Sequence, residues 1–335
     1  MVTFSILMPA YNVEKYISKA IDSVIAQTYD EWELIIVDDA SIDRTGEIVK
    51  VYAADNTRIR YHRNEKNSGN TSQPRLKAAT FATGKFISIL DADDTIETQF
   101  LEKLLLVHER TNADIVISQM IIIDINGNEL ERIPKVGFDI LQILTGKEAC
   151  SKTIGGWEIG FNGSSSYSSL YKSLLNRETY QEMNAEEVNT RLYLLKANKV
   201  AFSDAIYYYL YNTESITKKP SLKYFDRLDT SFQLIDIVED HYSLGSVEYK
   251  KQYKECLTTM MLCYLYVRKY KDHFTNENRE QIDAKVKCFY SLLYSKPKPS
   301  LKLPFKLRII NSNWRIFLFV MRIKYIKKRI LQTRL

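Results

Sequence analysis

Short apolar segments and amphipathic segments alternate through the first 118 residues, joined by connections of a few residues. Helices are predicted after Asn12, from Ser41 and near Pro74. The dipeptide Asn126-Gly127 predicts a hairpin. Strands and helices that alternate with short connections predict a doubly wound, mostly parallel α/β sheet. The predicted strands are residues 3–8, 32–37, 58–62, 86–90 and 114–118, and the hairpin strands are residues 120–124 and 129–133.

One of these predicted strands ends in a group of carboxylates. The segment Phe86–Asp94 reads FISILDADD, so Asp91, Asp93 and Asp94 follow a short apolar run. Carboxylates this close repel one another unless a cation lies among them. Hard oxygen ligands suit Mg²⁺ or Mn²⁺, above all where a substrate phosphate completes the coordination shell. A solvated acidic turn is the alternative interpretation.

Two other predicted strands also lead into distinctive residues. The first is predicted to stop at Pro9, which cannot donate to a central ladder, and the second leads into Asp38 and Asp39. In doubly wound sheets, ligands bind outside the carboxyl ends of the strands. The strand ends are therefore predicted to converge on one crevice, which argues against the acidic-turn interpretation.

Arg75 is predicted to lie in the first turn of a helix, where a cation opposes the helix dipole. This placement is favourable if an anion binds between the guanidinium and the helix amides. The alternative is an exposed arginine that pairs with a surface carboxylate. Together the acidic cluster and the anion site indicate a nucleoside diphosphate bound with a divalent cation. Because the chain has neither G-x-x-x-x-G-K-[ST] nor G-x-G-x-x-G, an ATPase or a dinucleotide enzyme is disfavoured.

Three motifs, in order along the chain, resemble the amino-terminal half of family 2 glycosyltransferases with the GT-A fold. They read SILMPAYN, LIIVDDASIDRTGEI and NSGNTSQPRLKAATFATGKFISILDADD. The resemblance covers about residues 1–115 and continues more weakly to about residue 217. It implies a UDP-sugar donor and a glycan, wall-polymer or lipid-linked acceptor of the bacterial surface-polysaccharide type.

The resemblance also implies which residues bind the donor and the metal. The D-x-D motif falls on Asp91-Ala92-Asp93, with Asp93 as the direct metal ligand beside Asp91. Tyr11 can stack on uracil. In NSGNTSQPR, Leu76 and Lys77 stand where the family more often has Asn after the arginine. The implied donor-binding residues are Pro9, Ala10, Tyr11, Asp38, Asp39, Asn67, Arg75, Asp91, Ala92 and Asp93.

An inverting transfer needs a base that takes the proton of the acceptor hydroxyl. Family members usually supply an aspartate from a Glu-Asp pair at the start of a helix, and the similar segment here reads NAEEV, residues 184–188. Glu187, which replaces that aspartate, is the first candidate and Glu186 the second. In the alternative interpretation these acids only complement the helix dipole, and Glu187 pairs with Arg191 four residues on.

Residues 155–171 are rich in glycine, serine and aromatic residues. This composition is typical of a loop over an acceptor sugar, with Trp157 or Phe161 as a stacking platform, and equally of an ordinary mobile loop. Ser215, Thr217 and Lys218 are further candidates for contact with the diphosphate.

The chain is predicted to divide into three parts. Residues 1–219 would form the GT-A domain, with a nucleotide-binding half at 1–115 and an acceptor half at 116–219. Residues 220–295 would form a helical domain, and residues 296–335 a basic amphipathic tail.

Charge is distributed unevenly, since residues 1–283 carry a net −8 and residues 284–335 a net +14. A basic amphipathic helix with Trp and Phe is predicted to bind an anionic membrane surface. The alternatives are a helix docked on the acidic body and a nucleic-acid tail, the latter disfavoured by that acidic body. The apolar stripe comprises Leu307, Ile310, Trp314, Phe317, Leu318, Met321 and Tyr325, and the basic stripe Arg308, Arg315, Arg322 and Arg329.

No basic segment followed by a long apolar run opens the sequence, so a secretory signal is not expected. The expected location is the cytoplasm, peripherally on the inner face of the cell membrane, with no nucleic acid as partner. A non-catalytic nucleotide-sugar sensor or scaffold is the alternative function. The oligomeric state is not indicated by the sequence.

Overall fold

The computed structural model describes residues 2–135, 138–173, 175, 185–211, 220–313 and 316. These residues divide into two compact units, one within residues 1–218 and the other within residues 219–335. The first unit contains a sheet and the second consists of helices. Ser215, Thr217 and Lys218 lie outside the described residues.

The sheet has nine strands in the described part of the chain. Its order is β3-β2-β1-β4-β8-β6-β9-β5, with β7 paired to β6. The pairings of β1 with β2, β2 with β3, β1 with β4 and β6 with β9 are parallel, which confirms the predicted α/β class. The strands β1 to β9 are Phe4–Ala10, Trp32–Asp38, Ile59–Arg63, Phe86–Ile89, Thr95–Ile96, Ile115–Ile123, Glu129–Ile133, Ser165–Tyr167 and Val200–Leu210.

The first unit also contains helices whose apolar residues face its core. In α1, Ile17, Ala20, Ile21 and Val24 are all buried, which is the spacing of one helical face. The helices α1 to α7 are Ile17–Ile25, Thr45–Asp55, Ser72–Phe81, Phe100–Thr111, Gly146–Ser151, Ser168–Lys172 and Ala185–Lys196.

Two predicted helix starts are wrong, because the polar residues involved bind each other's loops. Asn12 has a φ of 51°, and its side-chain oxygen accepts a hydrogen bond from the Ile42 N–H at 2.8 Å. The Asn12 N–H donates to Ser41 Oγ at 3.0 Å. Asparagine tolerates this left-handed backbone better than most residues. Asn12 and Ser41 therefore join the loops after β1 and β2, while α1 and α2 begin later in the chain.

The prediction that Pro9 stops the first strand is also wrong. β1 continues through Pro9 and Ala10, which pair in register with Val37 and Asp38. On the other side of β1, the pairing with β4 extends only to Leu7. Pro9 therefore lies beyond the end of β4 and has one neighbouring strand, where its missing N–H leaves no gap in the ladder with β4.

Three further features of the sheet differ from the predictions. Residues 115–123 form one strand, β6, instead of two, and its ladder with β9 is irregular between Ile117 and Gln119. The segment predicted as a loop over residues 155–171 contains the short strand β8 and most of α6. Strand β9 was not predicted. The hairpin of β6 and β7 is confirmed.

The second unit confirms the helices predicted after residue 220. A short 3-10 helix, Leu222–Phe225, precedes α8 at Asp226–His241, α9 at Val247–Lys269 and α10 at Asn276–Ser295. No helix in the described ranges has both the length and the apolar character needed to cross a membrane.

A further helix, α11 at Phe305–Ser312, packs against α9. Its apolar residues Leu307 and Ile310 are 4% and 0% exposed, and Tyr253 on α9 donates a hydrogen bond to Asn311 Oδ1 at 3.0 Å. Asn313 then has extended backbone and ends the helix. The start of the predicted amphipathic stripe is thus buried in protein, whereas its remainder from Trp314, including Arg315, Arg322 and Arg329, lies outside the described residues.

We expect Ile310→Ala to lower the free energy of unfolding by about 2–5 kcal/mol, because it leaves a cavity in a fully buried site. Phe305 on the same helix is 61% exposed. Phe305→Ala is therefore the control, and it should change the free energy of unfolding by less than about 0.5 kcal/mol. Chemical denaturation measures both values. Equal effects would contradict the docking of α11.

Stability should also depend on pH through His108, which is 2% exposed in α4. Its Nδ1 lies 3.1 Å from the Ala113 carbonyl oxygen and its Nε2 2.8 Å from Ser165 Oγ in β8. Burial lowers the pKa of His108 from 6.5 to about 4. The unfolded chain then binds the proton first as the pH falls, so stability falls between pH 6.5 and about 4 and levels off below that.

The expected loss across this window is about 3 kcal/mol. Denaturation of the wild type and of His108→Gln at pH 7 and pH 4.5 measures this loss of stability. Carboxylates titrate in both proteins, whereas His108 titrates only in the wild type, so the difference between the two proteins isolates the contribution of His108. A difference between the two proteins that does not change with pH would contradict this assignment.

Candidate active site

The acidic pair at the end of β2 organises the loops around it. Asp38 is fully buried, and its Oδ1 accepts a hydrogen bond from the Ser41 N–H at 2.8 Å. Its Oδ2 accepts bonds from the Tyr61 hydroxyl at 2.8 Å and from Arg63 at 2.5 Å. Both oxygens of Asp38 are therefore used within the protein, and they fix the ends of β2 and β3 relative to each other.

Asp39 holds the loop that precedes α3. Its Oδ1 accepts a hydrogen bond from Asn64 at 2.6 Å, and its Oδ2 accepts bonds from the N–H and the hydroxyl of Ser68 at 2.9 and 2.8 Å. Asn67 donates to the Asp39 carbonyl oxygen at 3.2 Å, and the Asp39 N–H donates to the Ala10 carbonyl at 2.8 Å. The predicted donor-binding residues after β1, β2 and β3 thus form one network.

The third group, Asp91 to Asp94, follows β4. Asp94 is 1% exposed, and its oxygens accept hydrogen bonds from the Tyr207 hydroxyl at 2.6 Å and the Leu210 N–H at 2.8 Å. Burial, with repulsion from Asp93 and Asp91, raises the pKa of Asp94 well above its ordinary value. Asp91 accepts a bond from Arg75 at 2.5 Å. Asp94 is therefore a structural link to β9.

Asp93 differs from its two neighbours because no side chain in the described residues bonds to its carboxylate. Burial and repulsion from Asp91 raise the pKa of Asp93 to about 6. Two hard oxygen ligands that repel each other fit a divalent cation. No group of three His, Cys, Asp or Glu side chains among the described residues forms a ready-made metal site, so further ligands would have to come from a phosphate or from water.

Arg75 lies in the first turn of α3 with 15% of its side chain exposed. Burial alone would lower the pKa of Arg75, but attraction to Asp91 outweighs it and raises the pKa. Its Nε is buried and has no hydrogen-bond partner in the described part of the chain. Asp91 therefore fixes the orientation of Arg75 while the Nε–H stays unpaired, and the anion site at this helix start stays a prediction.

A pocket of about 460 Å³ brings Arg75 and Asp91 together with the start of α7. Glu186, Glu187 and the aromatic residues Trp157 and Phe161 also line it. Three further aromatic residues that the sequence analysis did not single out also line it: Tyr171, whose pKa burial raises to about 12, Tyr193 of α7 and Tyr209 of β9. The pocket thus combines the guanidinium of Arg75 with carboxylates and aromatic faces.

The comparisons with known proteins agree with this arrangement. The model of the family "Glycosyl transferase family 2" matches residues 5–168, which include the strand ends, Arg75 and the acidic cluster. Residues 5–168 are therefore similar to family 2 glycosyl transferases. The segments with Glu186, Glu187 and Tyr209 lie beyond the matched residues.

Two bacterial glycosyltransferases are among the relatives to which the chain is similar. Glycosyltransferase GlyG of Streptococcus pneumoniae is 28% identical over 223 residues, which are 64% of this chain and 72% of GlyG. TarS of Staphylococcus aureus, a poly(ribitol-phosphate) beta-N-acetylglucosaminyltransferase, is 33% identical over 122 residues, 36% of this chain and 21% of TarS. The chain therefore spans most of GlyG and about a fifth of TarS.

Solved structures of TarS residues 1–349 show the same fold. The complex with UDP-GlcNAc has a TM-score of 0.60 at 19% identity, covering 87% of this chain and 82% of that one. A second structure of the same part of TarS contains UDP. The likeness confirms the GT-A fold that the motifs implied.

The predicted donor-binding residues fall into two sets. Arg75 and Asp91 line the pocket with Glu186 and Glu187. Other predicted residues do not line it: Pro9, Ala10, Tyr11, Asp38, Asp39, Asn67, Ala92 and Asp93 lie at the strand ends and in the loops that follow them. Their assignment to the donor stays a prediction.

We expect Tyr207→Phe to lower the free energy of unfolding by about 1–3 kcal/mol, because it leaves the buried Asp94 carboxylate and the Asp91 N–H without the hydroxyl they now bond. The control is Tyr208→Phe, one residue on in the same strand, which should change it by less than about 0.5 kcal/mol. Urea denaturation provides the measurement. A Tyr207→Phe value within the range of the control would show that the link is dispensable.

Proposed function

We propose that this protein is an inverting, metal-dependent glycosyltransferase. It would move a sugar from a UDP-sugar to a hydroxyl of a wall-polymer, surface-polysaccharide or lipid-linked acceptor. The observation that carries the proposal is the pocket that combines Arg75 and Asp91 with the glutamates of α7. The match of residues 5–168 to the family model supports glycosyl transfer, and the likeness to TarS structures with UDP and UDP-GlcNAc supports a UDP-sugar as the donor class.

In this proposal the charged residues act on the donor diphosphate. Arg75, held by Asp91, would offer its unpaired Nε–H to a phosphate oxygen. Asp93 and Asp91 would hold Mn²⁺ or Mg²⁺ at the same diphosphate. When bound, the divalent cation stabilises negative charge on the leaving group.

The aromatic residues and the α7 glutamates would act on the acceptor. Trp157 and Phe161 offer apolar faces on which a sugar ring can pack. A carboxylate from Glu186 or Glu187 would take the proton of the attacking hydroxyl as its oxygen forms a bond to the anomeric carbon. The bond from that carbon to the phosphate oxygen breaks in the same displacement, so the configuration inverts.

We further propose that the protein acts on the cytoplasmic face of the cell membrane. Residues 284–335 carry a net charge of +14, and among the described residues there Phe305 and Ile316 are 61% and 51% exposed. Basic residues with exposed apolar side chains suit an anionic bilayer. The burial of Leu307 and Ile310 leaves less of the predicted stripe for lipid.

The test is UDP release from a panel of UDP-sugars with Mn²⁺, for the wild type and Asp93→Ala. We expect one donor to be turned over and Asp93→Ala to lower the rate about 100-fold or more, because a metal ligand is lost. The control is Asp204→Ala, whose side chain is 62% exposed on β9, and its rate should equal that of the wild type. Calorimetric binding of UDP with no turnover of any donor would contradict the proposal and favour the nucleotide-sugar sensor.

A further inference from the structure

The two glutamates at the start of α7 are held differently. Arg191 Nη1 donates to Glu187 Oε2 at 2.5 Å and to the Glu187 carbonyl oxygen at 2.7 Å. Glu187 exposes 33% of its side chain, whereas Arg191 exposes 5%. Solvent can therefore reach Glu187, but its carboxylate is in a charge-assisted contact with a buried guanidinium.

Arg191 also binds the segment that carries Trp157. Its Nη2 donates to the Thr153 carbonyl oxygen at 2.7 Å, and its guanidinium lies 4.8 Å from the centroid of the Trp157 ring. A cation this close to an indole face is attracted to it. One buried side chain thus connects the first turn of α7 with the aromatic wall of the pocket.

Glu186 has no such contact. It lines the same pocket, and no hydrogen bond or ion pair joins its carboxylate to another side chain in the described residues. Glu186 as a whole is exposed, but loss of hydration around its carboxylate raises its pKa, as do the charges of Glu187 and Asp91, while Arg75 lowers it. The groups that act on Glu186 are therefore those of the proposed donor site and its own neighbour.

We propose that Glu186 takes the proton of the attacking hydroxyl, and that Glu187 and Arg191 are positioning residues that hold α7 and Trp157 in place. This inference rests on the proposed function and reverses the order in which the sequence analysis ranked the two glutamates.

The physical reason is the cost of protonating each carboxylate. A proton on Glu187 would break the ion pair and leave the Arg191 charge buried with one partner fewer, which is strongly unfavourable. A proton on Glu186 breaks no ion pair or hydrogen bond with another side chain in the part of the chain that the structure describes. In the reaction the acceptor O–H proton passes to Glu186, the acceptor oxygen bonds to the anomeric carbon, and the electron pair of the broken bond leaves with UDP. Glu186 then returns the proton to solvent.

The first experiment compares Glu186→Gln with Glu187→Gln in UDP release from the donor found in the panel, with water as the acceptor. We expect kcat to fall about 100-fold or more for Glu186→Gln and less than about 10-fold for Glu187→Gln. UDP affinity, measured by calorimetry, should stay within about twofold of the wild type in both variants. Equal losses of kcat, or the larger loss in Glu187→Gln, would overturn the assignment.

Rescue by a small carboxylate separates a missing base from a disturbed structure. Sodium formate should restore part of the rate of Glu186→Ala, since formate can occupy the space of the lost carboxylate and accept the proton. It should leave the rate of Glu187→Ala unchanged. Formate rescue of Glu187→Ala without rescue of Glu186→Ala would overturn the proposal.

The positioning role has a readout that needs no activity. The difference in fluorescence between each protein and its Trp157→Phe counterpart reports the environment of Trp157. Glu187→Gln and Arg191→Gln should increase quenching of that signal by acrylamide, Arg191→Lys should do so less, and Glu186→Gln should not change it. An unchanged signal in Arg191→Gln would overturn the positioning role.

The results of these experiments also distinguish a failure of this inference from a failure of the proposed function. If the wild type turns over no UDP-sugar, the proposed function fails, and the role of Glu186 as the base fails with it. The fluorescence measurement still decides whether Glu187 and Arg191 hold Trp157. If Glu187→Gln does not fold, Arg191→Lys, which keeps the charge, replaces it in both measurements, with the same expected direction and the same contradicting outcome.

Discussion

The hydrogen bonds of Asp94 join the two parts of the sheet on which the site depends. Asp94 follows β4, the last of the four adjacent parallel strands, and its partners Tyr207 and Leu210 belong to β9 at the other side of the sheet. The same Tyr207 hydroxyl accepts a bond from the Asp91 N–H at 3.2 Å. Asp91 in turn orients Arg75. One buried carboxylate thus fixes where the acidic loop, α3 and β9 meet.

The carboxylates around this link fall into two groups. Asp38, Asp39 and Asp94 are 0%, 3% and 1% exposed and are occupied by bonds within the protein. Burying charge in this way is tolerable because each carboxylate receives several donors. Asp93 and Glu186 lack such donors among the described residues. Asp93, together with the Arg75-bound Asp91, is left to bind a cation, and Glu186 is left to accept a proton, which is why these carboxylates are proposed to have different roles from the first three.

The sequence was sufficient to predict the parallel half of the sheet, α1 to α3 in outline and the helical character of residues 220–295. Apolar periodicity and short connections indicate local structure, and these strands and helices are set by residues close together in the sequence. Strand β8 escaped prediction because Ser165 and Ser166 give it no apolar pattern; both are buried, and Ser165 bonds to His108. The pairing of Asn12 with Ser41 was missed because it joins two loops that are distant in sequence.

For the site, residue types and motifs predicted which strand ends carry polar groups, and the pocket is lined by Arg75, Asp91 and both glutamates. They ranked Glu187 before Glu186, the reverse of the order proposed from the structure. That distinction depends on Arg191, which the sequence offered as a partner of Glu187 but could not show to be buried against Thr153 and Trp157. Burial at such a position is set by tertiary packing.

The separation of Asp94 and Tyr207 by 113 residues affects the order in which the protein can assemble. As the chain leaves the ribosome, β1 to β4 can pair with one another well before β9 has been synthesised. Contacts between distant residues form late because a long loop must close first. Asp94 must therefore stay hydrated until β9 arrives, so the parallel half of the sheet can form early while the pocket is completed near the end of folding of the first unit.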